Sequence, residues 1–332
     1  MRSFAPSNAG LYDPTYEHDA CGLGFVARVD GERTRQTVEE GLEILRNLAH
    51  RGAAGSEPET GDGAGLMLQI PDGFLRAKLA EEGGPELPPE GEYGVGVAFI
   101  DGDEDHEDVI EKVVAEEGQR FLGVRDVPVK PEEIGNSARK VMPRIRHFFI
   151  ASGAEDQDSF ERKLYVIRRR IHKAVGDEAG SDYFVVSLSS RTLVYKGLLH
   201  GEQVPEFYPD LQDERMTSAL ALVHSRFSTN TLGSWELAHP YRYVAHNGEF
   251  NTLRGNKNWM RAREARLESE RFGEDLPKIW PVINPGGSDS AAFDNALEAL
   301  HLAGRSLQHS VAMMIPEAWE NDRLMDTARR DF

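Results

Sequence analysis

The stretch YEHDACGLGFVARVDG, residues 16–31, changes from polar to apolar at Cys21, the single cysteine of the chain. After that point apolar side chains alternate along residues 23–29, which predicts a β-strand. The strand is expected to end at Asp30-Gly31, a typical hairpin-turn pair. The fold is therefore expected to begin with a strand that starts at or next to the only thiol.

The segment after this turn predicts an α-helix. Apolar residues recur at helical spacing from Val38 to Leu45, and Thr37 with Glu40 fits a capping box at the start. Gly52 is well placed to end the helix.

Further apolar patterns predict strands at 66–70, 93–100, 144–150, 183–189, 192–196, 219–224 and 241–246, and helices at 105–117, 160–175, 256–271, 288–303 and 321–330. Ser190-Arg191, between two of the strands, indicates a hairpin, and 83–94 is the only linker-like segment. Strands that follow strands, interrupted by pairs of helices, predict an α+β fold with largely antiparallel sheets. The last helix has no end signal before Phe332, so we expect the C-terminus to be a cut.

Composition argues against several classes of protein. Lys plus Arg is 38 and Asp plus Glu is 56, so the formal net charge is −18, which disfavours nucleic-acid and anionic-membrane partners. No run approaches the ~20 apolar residues of a membrane helix, and residues 1–20 lack a signal-peptide pattern; we expect a cytoplasmic protein. One cysteine excludes an internal disulfide framework and a self-contained iron–sulfur cluster. The acidic run 101–117 is interpreted as a solvated loop and helix face.

Two common site classes find no support. Residues 22–27, GLGFVA, have the GxGxxA spacing of a dinucleotide fingerprint, but they follow a polar segment and continue as a strand instead of opening a helix. The 11 histidines show no ligand spacing, so no metal site is predicted.

Four polar segments accompany Cys21: LAHRG at 48–52, HSRFSTNT at 224–231, AHPYRYVAHNGE at 238–249 and PGGSDS at 285–290. Together they resemble the class II glutamine amidotransferases, a branch of the N-terminal-nucleophile hydrolases. The resemblance is closer to the glutaminase domain at the front of glutamate synthase large chains. Longer strings carry it, in the same order, across about residues 11–320: GLYDPTYEHDACGLGF, HRGAAGSEPETGDGAGLMLQIP, HSRFSTNTLGSWELAHPYRYVAHNGEFNTLRGN and NPGGSDSAAFDNALE.

The resemblance implies a four-layer αββα sandwich of two antiparallel sheets, truncated at its C-terminal end. It also implies two parts, a propeptide at 1–20 and an amidotransferase domain at 21–332. Removal of the propeptide would make Cys21 the nucleophile and give it a free α-amine. Such an amine has a pKa of ~7.7–8 and can serve as the base that a thiol needs. The alternative is a small buried thiol.

The resemblance further implies that Asn247 and Gly248 form an oxyanion hole, with the Asn amide and the Gly N–H as donors. The alternative for this Asn-Gly pair is a hairpin turn. Arg226 would bind the α-carboxylate of glutamine bidentately, and Asp289 its α-ammonium group. Their alternatives are a surface salt bridge and a helix N-cap, although Ser288 could cap the helix instead. Weaker candidates line or order the pocket: His50, Arg51, Thr229 and Asn230. His239 and His246 are interpreted as core or supporting residues and not as bases.

No cofactor is expected in this chain. The resemblance implies FMN and an iron–sulfur cluster in the remaining synthase domains, with electrons from an NAD(P)H-oxidising subunit or ferredoxin, and L-glutamine as the substrate. Two alternatives stay open: the glutaminase part of another amidotransferase, such as amidophosphoribosyltransferase or asparagine synthetase, and a non-catalytic remnant that only binds glutamine or a partner.

Overall fold

The computed structural model describes residues 22–52, 57–176, 182–225, 233–248 and 250–331. The strands in these ranges are β1 (Leu23–Ala27), β2 (Ala64–Gln69), β3 (Tyr93–Ile100), β4 (Arg120–Asp126), β5 (Arg144–Ala151), β6 (Tyr183–Ser189), β7 (Thr192–Gly197) and β8 (Leu220–Ser225). The α-helices are α1 (Arg35–Asn47), α2 (Asp72–Glu82), α3 (Glu107–Glu116), α4 (Asn136–Lys140), α5 (Gln157–Val175), α6 (Gln203–Phe207), α7 (Leu253–Glu264), α8 (Asp289–Leu302), α9 (Leu307–Met314) and α10 (Thr327–Asp331).

The strands form two antiparallel sheets. The first has the order β1-β8-β2-β7 and the second β4-β5-β3-β6. Helix α1 packs on β1 and β8 of the first sheet, and α5 packs on β6 of the second. The predicted α+β class with antiparallel sheets is confirmed.

Strand β3 shows how the layers are held together. Its side chains alternate between two faces, as those of any strand do. Val95, Val97 and Phe99 belong to the large core that joins the two sheets. Ala98 and Ile100 belong to the core between the second sheet and helices α3 and α5. Because both faces are buried, every residue of β3 is buried and the strand is apolar throughout.

Several predicted elements lie where the sequence indicated, but the start of α1 was predicted wrongly. Thr34, and not Thr37, is the N-cap: its Oγ1 accepts a hydrogen bond from Thr37 N at 3.2 Å. Thr37 is buried inside the helix. The periodicity identified the helix correctly, but a capping residue lay three positions earlier.

The predicted hairpin at Ser190-Arg191 is wrong, since β6 and β7 belong to different sheets. Period-two alternation identifies a strand but not its partner. The predicted strand at 241–246 is also wrong: these residues run as an irregular loop. Strand β4 and helices α2 and α9 were not predicted.

The predicted helices at 256–271 and 321–330 are shorter than expected, as α7 and α10. The acidic run 101–117 is largely solvated, but its last residue, Glu117, is buried among Lys163, Arg170 and Lys278. Three cations compensate the cost of burying this carboxylate. In the described part of the chain, no helix is long and apolar enough to cross a membrane.

A buried ion pair joins the two sheets. Arg125 of β4 donates to both carboxylate oxygens of Asp210, at 2.7 and 2.9 Å, and the hydroxyl of Tyr195 on β7 donates to the same carboxylate at 3.1 Å. Both side chains of the ion pair are 1% exposed.

We expect Asp210→Asn to lower the free energy of unfolding by about 3 kcal/mol, because Arg125 would lose its buried counter-charge. Glu43→Gln is the control: its partner Arg46 is half exposed, so the loss should be under about 1 kcal/mol. Urea denaturation of the two variants measures the difference. Equal losses would contradict a structural role for the buried pair.

Candidate functional site

The site lies at one edge of the first sheet, where β1 begins and β8 ends. The two strands are antiparallel neighbours, with Leu23 opposite His224. Just beyond this pair, Ser225 N donates to Gly22 O at 2.6 Å. Gly22 and Ser225 are the described residues next to Cys21 and Arg226 in the chain, and both lie at this edge.

Asn247 reaches this edge from the loop at 241–248. A Cβ added to Gly22 would overlap the carbonyl oxygen of Ser225 and lie 2.9 Å from Asn247 Nδ2. Only glycine fits at position 22, and the amide of Asn247 lies against the residue that follows Cys21. Gly248 has φ +134°, a conformation that glycine adopts without strain. The structure therefore places the amide of Asn247 against Gly22, the residue covalently joined to Cys21.

Three imidazoles fix the backbone immediately before Asn247. His224 Nε2 donates to the carbonyl oxygen of His246 at 3.0 Å, and His246 N donates to His239 Nδ1 at 3.4 Å. The ring of His246 lies with Nδ1 3.0 Å from Ser290 Oγ. The hairpin alternative for Asn247-Gly248 is thus wrong, since side chains and not a paired strand hold this segment.

His246 is not placed as a base. Burial lowers the pKa of its imidazole, and the nearby Asp289 carboxylate opposes that effect. The ring also stacks on Phe250, with centroids 4.3 Å apart. A neutral imidazole held in this way supports the loop, in agreement with the supporting role expected for His246 and His239.

Asp289 stands at the first position of α8 and does not cap it. Ser288 is the N-cap, and its Oγ accepts from Ala291 N at 3.1 Å. One carboxylate oxygen of Asp289 accepts from Phe250 N at 2.9 Å, and the other accepts from Ser290 N at 2.7 Å. The N-cap alternative for Asp289 is therefore wrong, and its carboxylate is tied to the loop that carries Asn247.

The segment at 48–52 reaches the same edge through Gly52. A Cβ there would lie 3.0 Å from Ser225 Oγ. His50, in contrast, is exposed and turns back to the end of α1, with Nδ1 2.9 Å from the carbonyl oxygen of Asn47. The side chain of Arg51 lies outside the described part of the structure.

Four of the predicted site residues lie outside the described residues: Cys21, Arg226, Thr229 and Asn230. The sequence reasoning gave no role to His224 or Ser290, although both stand in the segments that carry the other candidates. It also missed Asp294 and Glu298, two acids spaced i, i+4 on a buried face of α8. That spacing is the signal that could have revealed them.

A cavity of about 560 Å³ borders the site at Asp289 and Phe250. Most of its lining residues are apolar, and they come from α7, α8, α9 and residues 267–283, such as Met260, Phe293 and Ile279. A free amino acid needs partners for its ammonium and carboxylate groups, so this apolar cavity does not match glutamine. Among the residues that the structure describes, no cluster of His, Cys, Asp or Glu side chains has the composition of a metal site.

Comparison with known proteins agrees with this geometry. The family model for class-II glutamine amidotransferases matches residues 21–332. The chain is 51% identical over 333 residues to the glutamate synthase [NADPH] large chain of Bacillus subtilis (strain 168), covering 98% of this chain and 22% of that one. It is 42% identical to glutamate synthase [NADH] of Saccharomyces cerevisiae, covering 96% of this chain and 15% of the relative. It is 40% identical to ferredoxin-dependent glutamate synthase 1 of Arabidopsis thaliana, covering 95% and 20%.

Two packed antiparallel sheets flanked by helices fit this family. The chain belongs to the class-II glutamine amidotransferases. It spans only about a fifth of the length of the curated relatives it matches.

The contact at Gly22 gives a direct test. We expect Gly22→Ala to lower the rate of ammonia release from glutamine by about 100-fold, because the new methyl group displaces β1 or Asn247 by a fraction of an ångström or more. Gly73→Ala, on α2, is the matched control, since its Cβ would meet nothing within 4 Å. It should keep full activity and gain up to about 1 kcal/mol in stability. If both variants keep wild-type rates, the close contact at Gly22 plays no part in the site.

Proposed function

We propose that this chain hydrolyses L-glutamine to glutamate and ammonia through a thioester on Cys21, as the glutaminase part of a glutamate synthase. The observation that carries the proposal is the contact between Asn247 and Gly22, the residue bonded to Cys21. A thiol at the start of β1 would then lie next to an amide able to stabilise an oxyanion.

Activation of Cys21 requires removal of residues 1–20. The family match begins at residue 21, which supports this division into a propeptide and a domain at 21–332. The freed α-amine, with a pKa of ~7.7–8, takes the proton from Sγ. The thiolate then attacks the side-chain amide carbon of glutamine and forms a tetrahedral intermediate.

Asn247 Nδ2 and Gly248 N would donate hydrogen bonds to the oxyanion of this intermediate. When the intermediate collapses, the C–N bond breaks and the protonated α-amine returns its proton to the leaving ammonia. Water, activated by the same amine, attacks the thioester and releases glutamate with the Cys21 thiol restored. Each proton removed is returned, so the cycle needs no further base.

Recognition of the free amino acid is assigned to Arg226 for the α-carboxylate and Asp289 for the α-ammonium group. Asp289 is suited to this role because Ser288 performs the N-capping, and a carboxylate with two oxygens can accept more bonds than the two it makes to backbone N–H groups. The remaining candidates would line or order the pocket: His50, Arg51, Thr229 and Asn230. Support for His50 is the weakest, because its ring contacts α1.

The ammonia would be used by domains that follow in the whole enzyme, where FMN and an iron–sulfur cluster would supply electrons. The relatives are named as NADPH, NADH and ferredoxin-dependent enzymes, so the partner would be an NAD(P)H-oxidising subunit or ferredoxin. Glutamate synthases at 40–51% identity favour this assignment over another amidotransferase. A cytoplasmic location stays a prediction.

We expect Cys21→Ala to lower glutaminase activity by at least about 1,000-fold, with an unchanged unfolding midpoint, and Cys21→Ser to be strongly impaired because a hydroxyl ionises far less readily than a thiol. Ammonia release and thermal denaturation measure the two effects. Intact-mass measurement of the active protein should show the loss of residues 1–20. Turnover by protein that still carries these residues would refute the role of the α-amine and also the non-catalytic alternative for the unprocessed chain.

Arg226→Lys should raise the KM for glutamine about 10- to 100-fold, because one ammonium group cannot replace a bidentate guanidinium–carboxylate contact. Arg46→Lys, at an exposed salt bridge on α1, is the control and should leave KM unchanged. Steady-state kinetics with glutamine decides the matter. An unaltered KM in Arg226→Lys would remove Arg226 from the substrate site.

A further inference from the structure

A buried ion-pair cluster lies beneath the loop that carries Asn247. Arg242, from that loop, contacts Asp294 Oδ2 through Nη2 at 2.6 Å and Glu298 Oε2 through Nε at 3.0 Å. Both acids belong to α8, and Glu298 also accepts from Arg168 of α5. We call Arg242, Asp294 and Glu298 the α8 anchor. Its three side chains are 9%, 0% and 5% exposed.

Burying charged groups away from water costs free energy unless each group is paired with an opposite charge or a hydrogen-bonding group. Burial lowers the pKa of Arg242, but Asp294 and Glu298 outweigh this effect and raise it overall. Arg242 is therefore a permanent cation that both acids of α8 hold. Apolar side chains of the same volume would often stabilise the fold as well as such a cluster does. Stability alone is therefore a weak explanation for the presence of the cluster.

Asp294 has a second contact that an apolar residue could not make. Its Oδ1 accepts from the backbone N–H of Tyr243 at 2.8 Å. Residues 241–246 do not pair as a strand, so their backbone groups need other partners. The carboxylate of Asp294 thus accepts a hydrogen bond from the backbone of Tyr243 and forms an ion pair with the guanidinium of Arg242.

The same loop is tied to α8 near its first turn as well. Tyr241 Oη lies 2.9 Å from Ser288 Oγ, and the contacts of His246 with Ser290 and of Phe250 with Asp289 follow along the chain. The loop therefore lies along α8 from its N-cap to its third turn. The α8 anchor holds Arg242 and Tyr243, which lie four to five residues before Asn247 in the loop that leads to the site.

We propose that Arg242 and Asp294 are positioning residues that hold the oxyanion pair Asn247-Gly248 at the nucleophile through the backbone of residues 242–246. The inference rests on the proposed function, since it assigns these residues to the same glutamine-hydrolysing site. Neither side chain touches the substrate. Their effect is on where the two oxyanion donors stand.

A positioning role changes some quantities and leaves others alone. Loosening the oxyanion donors weakens transition-state binding, so kcat falls while KM for glutamine stays within about threefold. Alkylation of Cys21 by iodoacetamide needs the thiolate but no oxyanion hole, so its rate should stay at the wild-type value. A merely structural role would alter stability and would not separate these readouts.

Asp294→Asn in the processed full chain is the test, with Asp210→Asn as the matched control. Both substitutions neutralise a buried aspartate that is paired with a buried arginine, but Asp210 contacts β4 and β7 and not the loop. We expect kcat to fall about 10- to 100-fold in Asp294→Asn and to stay within twofold in Asp210→Asn. Hydrogen exchange at residues 242–248 should accelerate only in Asp294→Asn.

A double variant, Arg242→Met with Asp294→Leu, covers the case in which Asp294→Asn folds poorly. Neutral apolar packing should restore stability, but Asp294→Leu removes the acceptor of Tyr243 N, so kcat should stay low. Recovery of wild-type kcat in the double variant, or unchanged kcat in a folded Asp294→Asn, would overturn the inference while the proposed function stands. A wild-type chain that releases no ammonia from glutamine would overturn both.

Discussion

The antiparallel pairing of β1 with β8 is the constraint on which the site depends. Because neighbouring antiparallel strands run in opposite directions, the first residue of one meets the last residue of the other. Gly22 and Ser225, about two hundred positions apart in the chain, are thereby hydrogen-bonded at one edge of the first sheet. Without a side chain at Gly22, the backbone edge stays open to Asn247. The chain neighbours of these two residues are Cys21, the proposed nucleophile, and Arg226, the proposed ligand of the glutamine α-carboxylate.

The sequence predicts the sheets better than their arrangement. Alternating or continuous apolar runs identified most strands, because the faces of a buried strand are fixed by local chemistry. The partner of a strand depends on the whole fold. The sequence therefore predicts a hairpin for β6 and β7, whereas the turn between them passes from one sheet to the other. Strand β4 escaped prediction since it lies at a sheet edge, partly exposed and with charged ends. One of its two arginines, Arg125, is buried because Asp210 and Glu82 from distant segments pair with it.

In the candidate site, too, local features could be predicted from the sequence and contacts between distant residues could not. Ser288 as a capping residue could be foreseen, because N-cap preference is local, and this left Asp289 available for another role. The sequence of residues 241–246, YRYVAH, predicts a strand, but the segment is a loop. Its backbone is in fact satisfied by side chains of His224, His239 and α8. Such partners lie up to 51 residues away in the chain, so no local sequence pattern predicts them.

There is a geometric reason why this segment cannot be a strand. In a strand, backbone N–H groups lie in the plane of the sheet and side chains stand out of it, on alternating faces. The side-chain amide of Asn247 and the N–H of Gly248 would then point in different directions. For both groups to reach one oxygen, as the proposed oxyanion hole requires, the backbone must leave the extended conformation, and Gly248 has φ +134°. Because the segment does not pair as a strand, each of its buried backbone N–H and C=O groups needs another hydrogen-bond partner. The carboxylates of Asp289 and Asp294 accept from backbone N–H groups of the loop that carries Asn247, and the rings of His224 and His239 bond to the backbone of His246. This is why acidic side chains occupy an otherwise buried face of α8.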